Sequence, residues 1–176
     1  MQLVLYPDPV LRKRAAPIPA VDEAVVQKAR EMFELMYHEG GVGLAAPQVG
    51  WSVRLFVMNA LGQEHISGEK IYINPEVFVP EGDVEEFSDE EGCLSIPDVR
   101  GKVIRPQEIL VRALDFEGKP FEETLDDLPA RIVQHELDHL DGILFITRLN
   151  TSDRMLANKT LKRLEKEYKE SRRANG

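Results

Sequence analysis

The amino-acid sequence predicts an α+β fold: mostly antiparallel strands around a central helix, with one helix before them and one at the C-terminal end. Three observations carry this. Strand-like runs are grouped in the middle of the chain, between helical patterns, rather than alternating with them. The turns joining them are short. One helical segment near residue 135 carries enough apolar positions to serve as a core helix packed on the strands. The 176 residues contain no internal repeat and no linker rich in Pro, Gly or Ser, so a single domain is expected.

The first helix is predicted over residues 22–39, where Val25, Ala29, Met32, Phe33 and Met36 recur at helical spacing and Gly40-Gly41 ends the pattern. The glycine-rich stretch at 40–50 then reads, by itself, as a helix stop and a turn into a strand at 53–58. Further strands are predicted at 71–79, broken by Pro75, at 101–104 and at 108–116. The turn Phe116-Glu117-Gly118-Lys119-Pro120 links 109–116 to 121–125 and predicts a hairpin. The second helix starts near Asp127, tolerates Pro129 in its first turn and ends before Gly142. A third runs over residues 152–172 with Ala157, Leu161, Leu164 and Tyr168 on one stripe.

Composition limits the class. A single cysteine, Cys93, excludes an internal disulfide and points to a reducing compartment. No apolar run approaches the roughly 20 residues that span a bilayer. Residues 1–14 lack the apolar core of a secretory signal, so the cytoplasm is the expected location. The net charge of −9 is unevenly placed. Residues 154–176 hold eight basic and three acidic side chains, while 81–91 hold seven carboxylates in eleven residues.

His135-Glu136-Leu137-Asp138-His139 is an H-E-x-x-H sequence. Residues four apart on a helix lie about 40° apart around its axis, so two imidazoles can share one metal ion. Glu136 sits about 100° round from His135, within reach of a water on that ion. Leu128, Ile132, Val133, Leu137 and Leu140 spread over the same arc, with Ala130, Arg131, Gln134, Asp138 and Asp141 expected on the polar side. Two histidines and a glutamate on a buried face would cost several kcal/mol without partners, and a metal with its water supplies them.

Two imidazoles leave a catalytic metal one protein ligand short of the usual three. From the residues alone Cys93, His38, His65 or a carboxylate could be the third. A lone cysteine is more often an inert buried hydrophobe, and both histidines fall in polar, solvated surroundings. A zinc endopeptidase would carry a third histidine or glutamate shortly after the helix, where the sequence has Asp141-Gly142 and an apolar run. A structural metal would need four protein ligands.

Taken together, three segments resemble one family. Gly-Val-Gly-Leu-Ala-Ala-Pro-Gln (41–48), Glu-Gly-Cys-Leu-Ser-Ile-Pro (91–97) and Gln-His-Glu-Leu-Asp-His-Leu (134–140) resemble, in order and separation, the three motifs of the peptide deformylases. The likeness extends to Tyr6-Pro7-Asp8-Pro9-Val10-Leu11-Arg12 and Ile73-Asn74-Pro75, and covers residues 3–149. Pro47 stands where some members carry threonine, and the single C-terminal helix resembles the bacterial type I form.

The resemblance implies a metal-dependent hydrolase that removes the N-formyl group from the initiator methionine of new polypeptides, releasing formate. It makes Cys93, His135 and His139 the ligands of one divalent metal, Fe²⁺ in the cell, with Ni²⁺, Co²⁺ or Zn²⁺ as substitutes. It makes Glu136 the general acid–base, and the Gln48 amide and Leu94 N–H the oxyanion donors. Val42, Gly43 and Glu91 are expected along the substrate backbone, and Val42 and Leu128 beside the methionine pocket. Residues 1–150 are then the catalytic domain and 151–176 a basic C-terminal helix of the same domain. The expected partners are formyl-methionyl nascent peptides and, through the basic helix, the ribosome; no membrane or DNA partner is expected.

Overall fold

The computed structural model describes residues 1–82 and 84–174. Asp83, inside the acidic stretch, and Asn175 and Gly176, at the end of the basic segment, lie outside the described residues.

Helix α1 (Glu23–His38) begins where the Asp22 carboxylate accepts the Val25 N–H at 2.9 Å, a side-chain N-cap. Strands β1 (Gly43–Ala45), β2 (Leu55–Asn59), β3 (Glu69–Phe78), β6 (Glu108–Leu114) and β7 (Pro120–Asp126) form a five-stranded antiparallel sheet in the order β1-β2-β3-β6-β7. Strands β4 (Glu86–Cys93) and β5 (Ile96–Pro106) form a separate antiparallel pair. Helix α2 (Asp127–Leu140) and helix α3 (Thr151–Ala174) complete the fold.

β2 explains the layering. All five of its residues are buried, because the sheet is covered on both faces. Leu55 and Val57 face one way, with Ile71 and Ile73 of β3, and pack with Ala29, Met32, Phe33 and Met36 of α1. Phe56 and Met58 face the other way, with Tyr72, Ile109 and Val111, and pack with Ala130, Ile132, Val133 and Leu140 of α2. The predicted core helix is therefore one of two that sandwich the sheet. The hairpin at β6–β7 forms as expected, pairing Ile109 with Leu125. Pro75 interrupts β3 without ending it: the register with β6 shifts between Ile73 and Glu76, a bulge that accommodates the missing N–H.

Three elements depart from the expectation. The glycine-rich stretch is not a simple turn; it holds β1 and then a 3₁₀ turn at Ala46–Val49. The strand expected at 101–104 runs from Ile96 to Pro106. Its partner β4 occupies the acidic stretch, where residues 86–90 are all exposed. α2 also corrects the sequence reading of its faces. Arg131 and Asp138, expected on a polar side, are buried, whereas Leu128 is 49% exposed. The reason is that α2 is covered twice, by the sheet on one side and by the β4–β5 pair on the other.

Residues of α3 pack as the stripe predicted. Ala157 and Leu164 are buried among Ile96, Val99, Val103, Phe145 and Leu149, with Leu161 beside them. Gly101 of β5 is required here: a Cβ would lie 2.7 Å from Leu149 and 3.0 Å from Asp153. Lys162, Lys166 and Lys169 are exposed away from this stripe, and Arg163, also exposed, donates from Nη2 to Oδ2 of Asp98 in β5 at 2.7 Å. No described helix is long and apolar enough to cross a membrane.

Candidate metal centre and its cavity

The end of β4 and the middle of α2 meet at one point. β4 delivers Cys93 there because the register with β5 shifts between Gly92 and Cys93, turning the chain at the strand end. α2 delivers His135 and His139 one turn apart, their rings edge-on with centroids 5.0 Å apart. The Sγ of Cys93 lies 3.2 Å from Nε2 of His139. One donor atom from each of Cys93, His135 and His139 falls within 4.8 Å of the others, and among the described residues this is the one group of three or more such donors. His38 and His65 lie elsewhere, both exposed.

The donor set fits a borderline-soft divalent ion: one thiolate and two imidazoles leave a fourth position open. Two buried atoms lack a hydrogen-bond partner among the described residues, Oε2 of Glu136 and Nδ1 of His139. An unpaired buried carboxylate oxygen beside three donors that could hold an ion fits a site for a metal and its water. Burial pushes the Glu136 carboxyl up, to about 7, with the charge of His135 pulling the other way. A carboxyl held there can take and return a proton near neutral pH.

His135 is oriented from behind. Burial alone would raise the Glu91 carboxyl, but Arg105 and His135 outweigh it and hold it well below the usual carboxylate range. Oε2 of Glu91 accepts from Nδ1 of His135 at 3.0 Å, which leaves Nε2 able to ligate an ion. Nε and Nη2 of Arg105 take the two oxygens of Glu91 at 2.6 and 2.9 Å, and Nη1 of Arg131 reaches Oε1 at 2.7 Å. The expectation along the substrate concerns the Glu91 backbone, whereas the Glu91 carboxylate is committed to these three partners. The reason lies on α2 and β5, where the buried Arg131 and Arg105 converge on it.

Gln48 is held as firmly. Its Oε1 accepts the Ala45 N–H at 2.8 Å, which fixes which end of the amide faces the site. Nε2 then points to Ser95 Oγ at 3.2 Å and to Cys93 Sγ at 3.5 Å. Gly43 has no room for a side chain: a Cβ would collide with Oε1 of Glu136 and lie 2.9 Å from Ile132 Cγ2. The glycine therefore lets the edge of β1 approach α2 closely. Sequence reasoning alone favoured a plain turn here because the partner, Glu136, is 93 residues away.

A cavity of about 710 Å³ opens over this point. Val42, Gly43, Gln48, Glu91, Cys93, Leu94, Leu128, His135 and Glu136 all line it, so among the expected site residues only His139 lies behind the wall. Arg105 and Asp138 escaped the sequence reading; a charged pair on strand and helix at otherwise buried positions was the available signal.

A family model described as polypeptide deformylase matches residues 1–155. The chain belongs to the peptide deformylase family.

Among the relatives, a peptide deformylase of Acidobacterium capsulatum is 42% identical over 93% of this chain and 95% of its own length. One of Pseudomonas aeruginosa is 41% identical over 97% of each chain. The crystal structure of Arabidopsis thaliana peptide deformylase 1B in complex with an inhibitor matches with a TM-score of 0.91 at 40% identity, covering 97% of this chain and 93% of that one. Members of the peptide deformylase family are hydrolases that remove the N-formyl group from nascent polypeptides.

Proposed function

We propose that Cys93, His135 and His139 hold one Fe²⁺ ion in the cell and that Glu136 carries the proton transfers of deformylation. The observation that supports this most is the convergence of the three donors beside the unpartnered Oε2 of the buried Glu136. When bound, the ion acidifies a water from a pKa of about 15.7 toward 7 and polarises the formyl oxygen. Glu136 takes the proton of that water and returns it to the departing amine. The Gln48 amide, locked by Ala45 and Ser95, and the Leu94 N–H donate to the oxyanion as it forms. The Glu91 side chain is assigned to holding His135, which leaves its backbone for the substrate.

The substrate backbone extends along Val42-Gly43 on one side and residues 91–97 on the other, as an added strand. The initiator methionine side chain enters beside Leu128 and Val42, whose exposed apolar surface, 49% and 41%, needs an apolar occupant. Formyl is the smallest acyl group, so a tight site can reject acetyl by contact. The lone thiolate suits a reducing compartment such as the cytoplasm, where translation begins.

Iron beside a thiolate is open to oxidation. Protein purified in air is therefore expected to lose activity, and protein reloaded with Ni²⁺ or Co²⁺ to keep it. Stoichiometric zinc with full activity after aerobic purification would show a zinc-preferring enzyme instead.

We propose further that the exposed basic face of α3 contacts ribosomal RNA. An acidic body is repelled by a polyanionic particle, and a cationic helix offsets this. Because Ala157 and Leu164 cover the cluster around Phe145, removing α3 would expose core. Replacing Lys162, Arg163, Lys166 and Lys169 by glutamine is the cleaner test. Ribosome affinity is expected to fall, most at low salt, with turnover of a short formyl peptide retained. Unchanged ribosome affinity would reduce α3 to packing.

A further inference from the structure

Arg148 sits between the last turn of the body and α3, outside all three sequence motifs. Its guanidinium clamps Asp138 with two parallel bonds, Nε to Oδ2 and Nη2 to Oδ1, each 2.6 Å. Asp138 is buried on α2, three residues from His135 and one from His139. Its Oδ2 also accepts from Nη1 of Arg105 at 3.0 Å. Arg105 holds both oxygens of Glu91, and Glu91 holds Nδ1 of His135. An unbroken file of charge-assisted hydrogen bonds thus runs from Arg148 to an imidazole of the metal site.

Each member of this file is planar, and each bidentate pair fixes the plane of the next. Arg105 is the shared part: the same fork serves Glu91 on one side and Asp138 on the other. Without a second partner Asp138 could rotate about its terminal bond and pull Nη1 of Arg105 with it. The two bonds from Arg148 remove that freedom. Arg105 is 4% exposed and Glu91 5%, so neither can be changed without opening the core. The Arg148 side chain is 41% exposed, so it can be shortened while leaving the buried packing in place.

We infer that Arg148 is a positioning residue: by clamping Asp138 it sets Arg105 and Glu91, and through them the ring of His135 toward the metal. The inference rests on His135 as a metal ligand.

The test compares wild-type, Arg148→Ala, Arg148→Lys, Asp138→Asn and the Arg148→Ala/Asp138→Asn double variant, each loaded with Ni²⁺. Three quantities are read: the rate at which Ni²⁺ passes to excess chelator, kcat and KM for a formyl-methionyl peptide, and the urea midpoint. Arg148→Ala is expected to release nickel about tenfold faster and to lower kcat at unchanged KM, within the roughly 10- to 100-fold range for partners behind a metal ligand. Arg148→Lys, which reaches one oxygen rather than two, restores part of the difference. In the double variant the effect of Arg148→Ala largely disappears, because both changes break the same link. A lowered urea midpoint with wild-type nickel release and kcat would overturn the inference and leave Arg148 a structural tie. An undiminished effect of Arg148→Ala in the Asp138→Asn background would also overturn it. Should Arg148→Ala fail to fold, the lysine variant decides by the same nickel-release and kcat readouts. Wild-type protein that binds no nickel would instead overturn the metal reading itself.

Discussion

Cys93→Ala is expected to abolish activity and to release the metal. In the proposed ligand set the thiolate is one of three protein donors, and no other cysteine exists to replace it. Losing a direct ligand should exceed the roughly 10- to 100-fold loss of affinity that follows removal of a partner behind a ligand. Stability should change little, because Cys93 is only partly buried and alanine is smaller. Metal analysis of the purified variant, with formate release measured on the same sample, checks this. Full metal content with normal turnover would remove Cys93 from the site and undo the ligand set.

Glu136→Gln is expected to separate chemistry from ligation. Glutamine keeps the volume of the side chain but cannot accept a proton and return it. Turnover should fall by about 10²–10⁴-fold, the size of a general acid–base contribution, while the metal stays bound. The variant should be as stable as the parent or more so, since a buried carboxyl with an unpartnered oxygen is replaced by a neutral amide. This combination distinguishes a catalytic acid from a ligand. A variant that lost its metal would place Glu136 in the coordination sphere.

The parts of this molecule with strong periodicity were legible from sequence. α1 and α2 carry apolar residues at helical spacing, and the β6–β7 hairpin carries its turn signal. β4 was not legible, because its exposed residues are mainly carboxylates with low strand propensity. It is a strand because β5 pairs with it, and that pairing is not local. The burial of Arg131 and Asp138 was hidden for a related reason. A helical wheel assumes one buried face, and α2 has two, the second covered by the β4–β5 pair. The candidate metal trio that the fold brings together divides the same way. His135 and His139 follow from spacing alone, whereas nothing local in the segment around Cys93 marks it as a ligand; its resemblance to a family motif did, and the fold brings its sulfur 3.2 Å from His139.

One preparation can test the central claim. Metal-free protein is titrated with Ni²⁺ while formate release from a formyl-methionyl tripeptide, cleavage of its internal bonds and turnover of the acetyl-methionyl counterpart are followed together. Formate release should rise linearly and stop at one ion per chain, with the internal bonds intact and the acetyl peptide untouched. Formate release at full rate without metal, or internal cleavage in place of deformylation, would contradict the account.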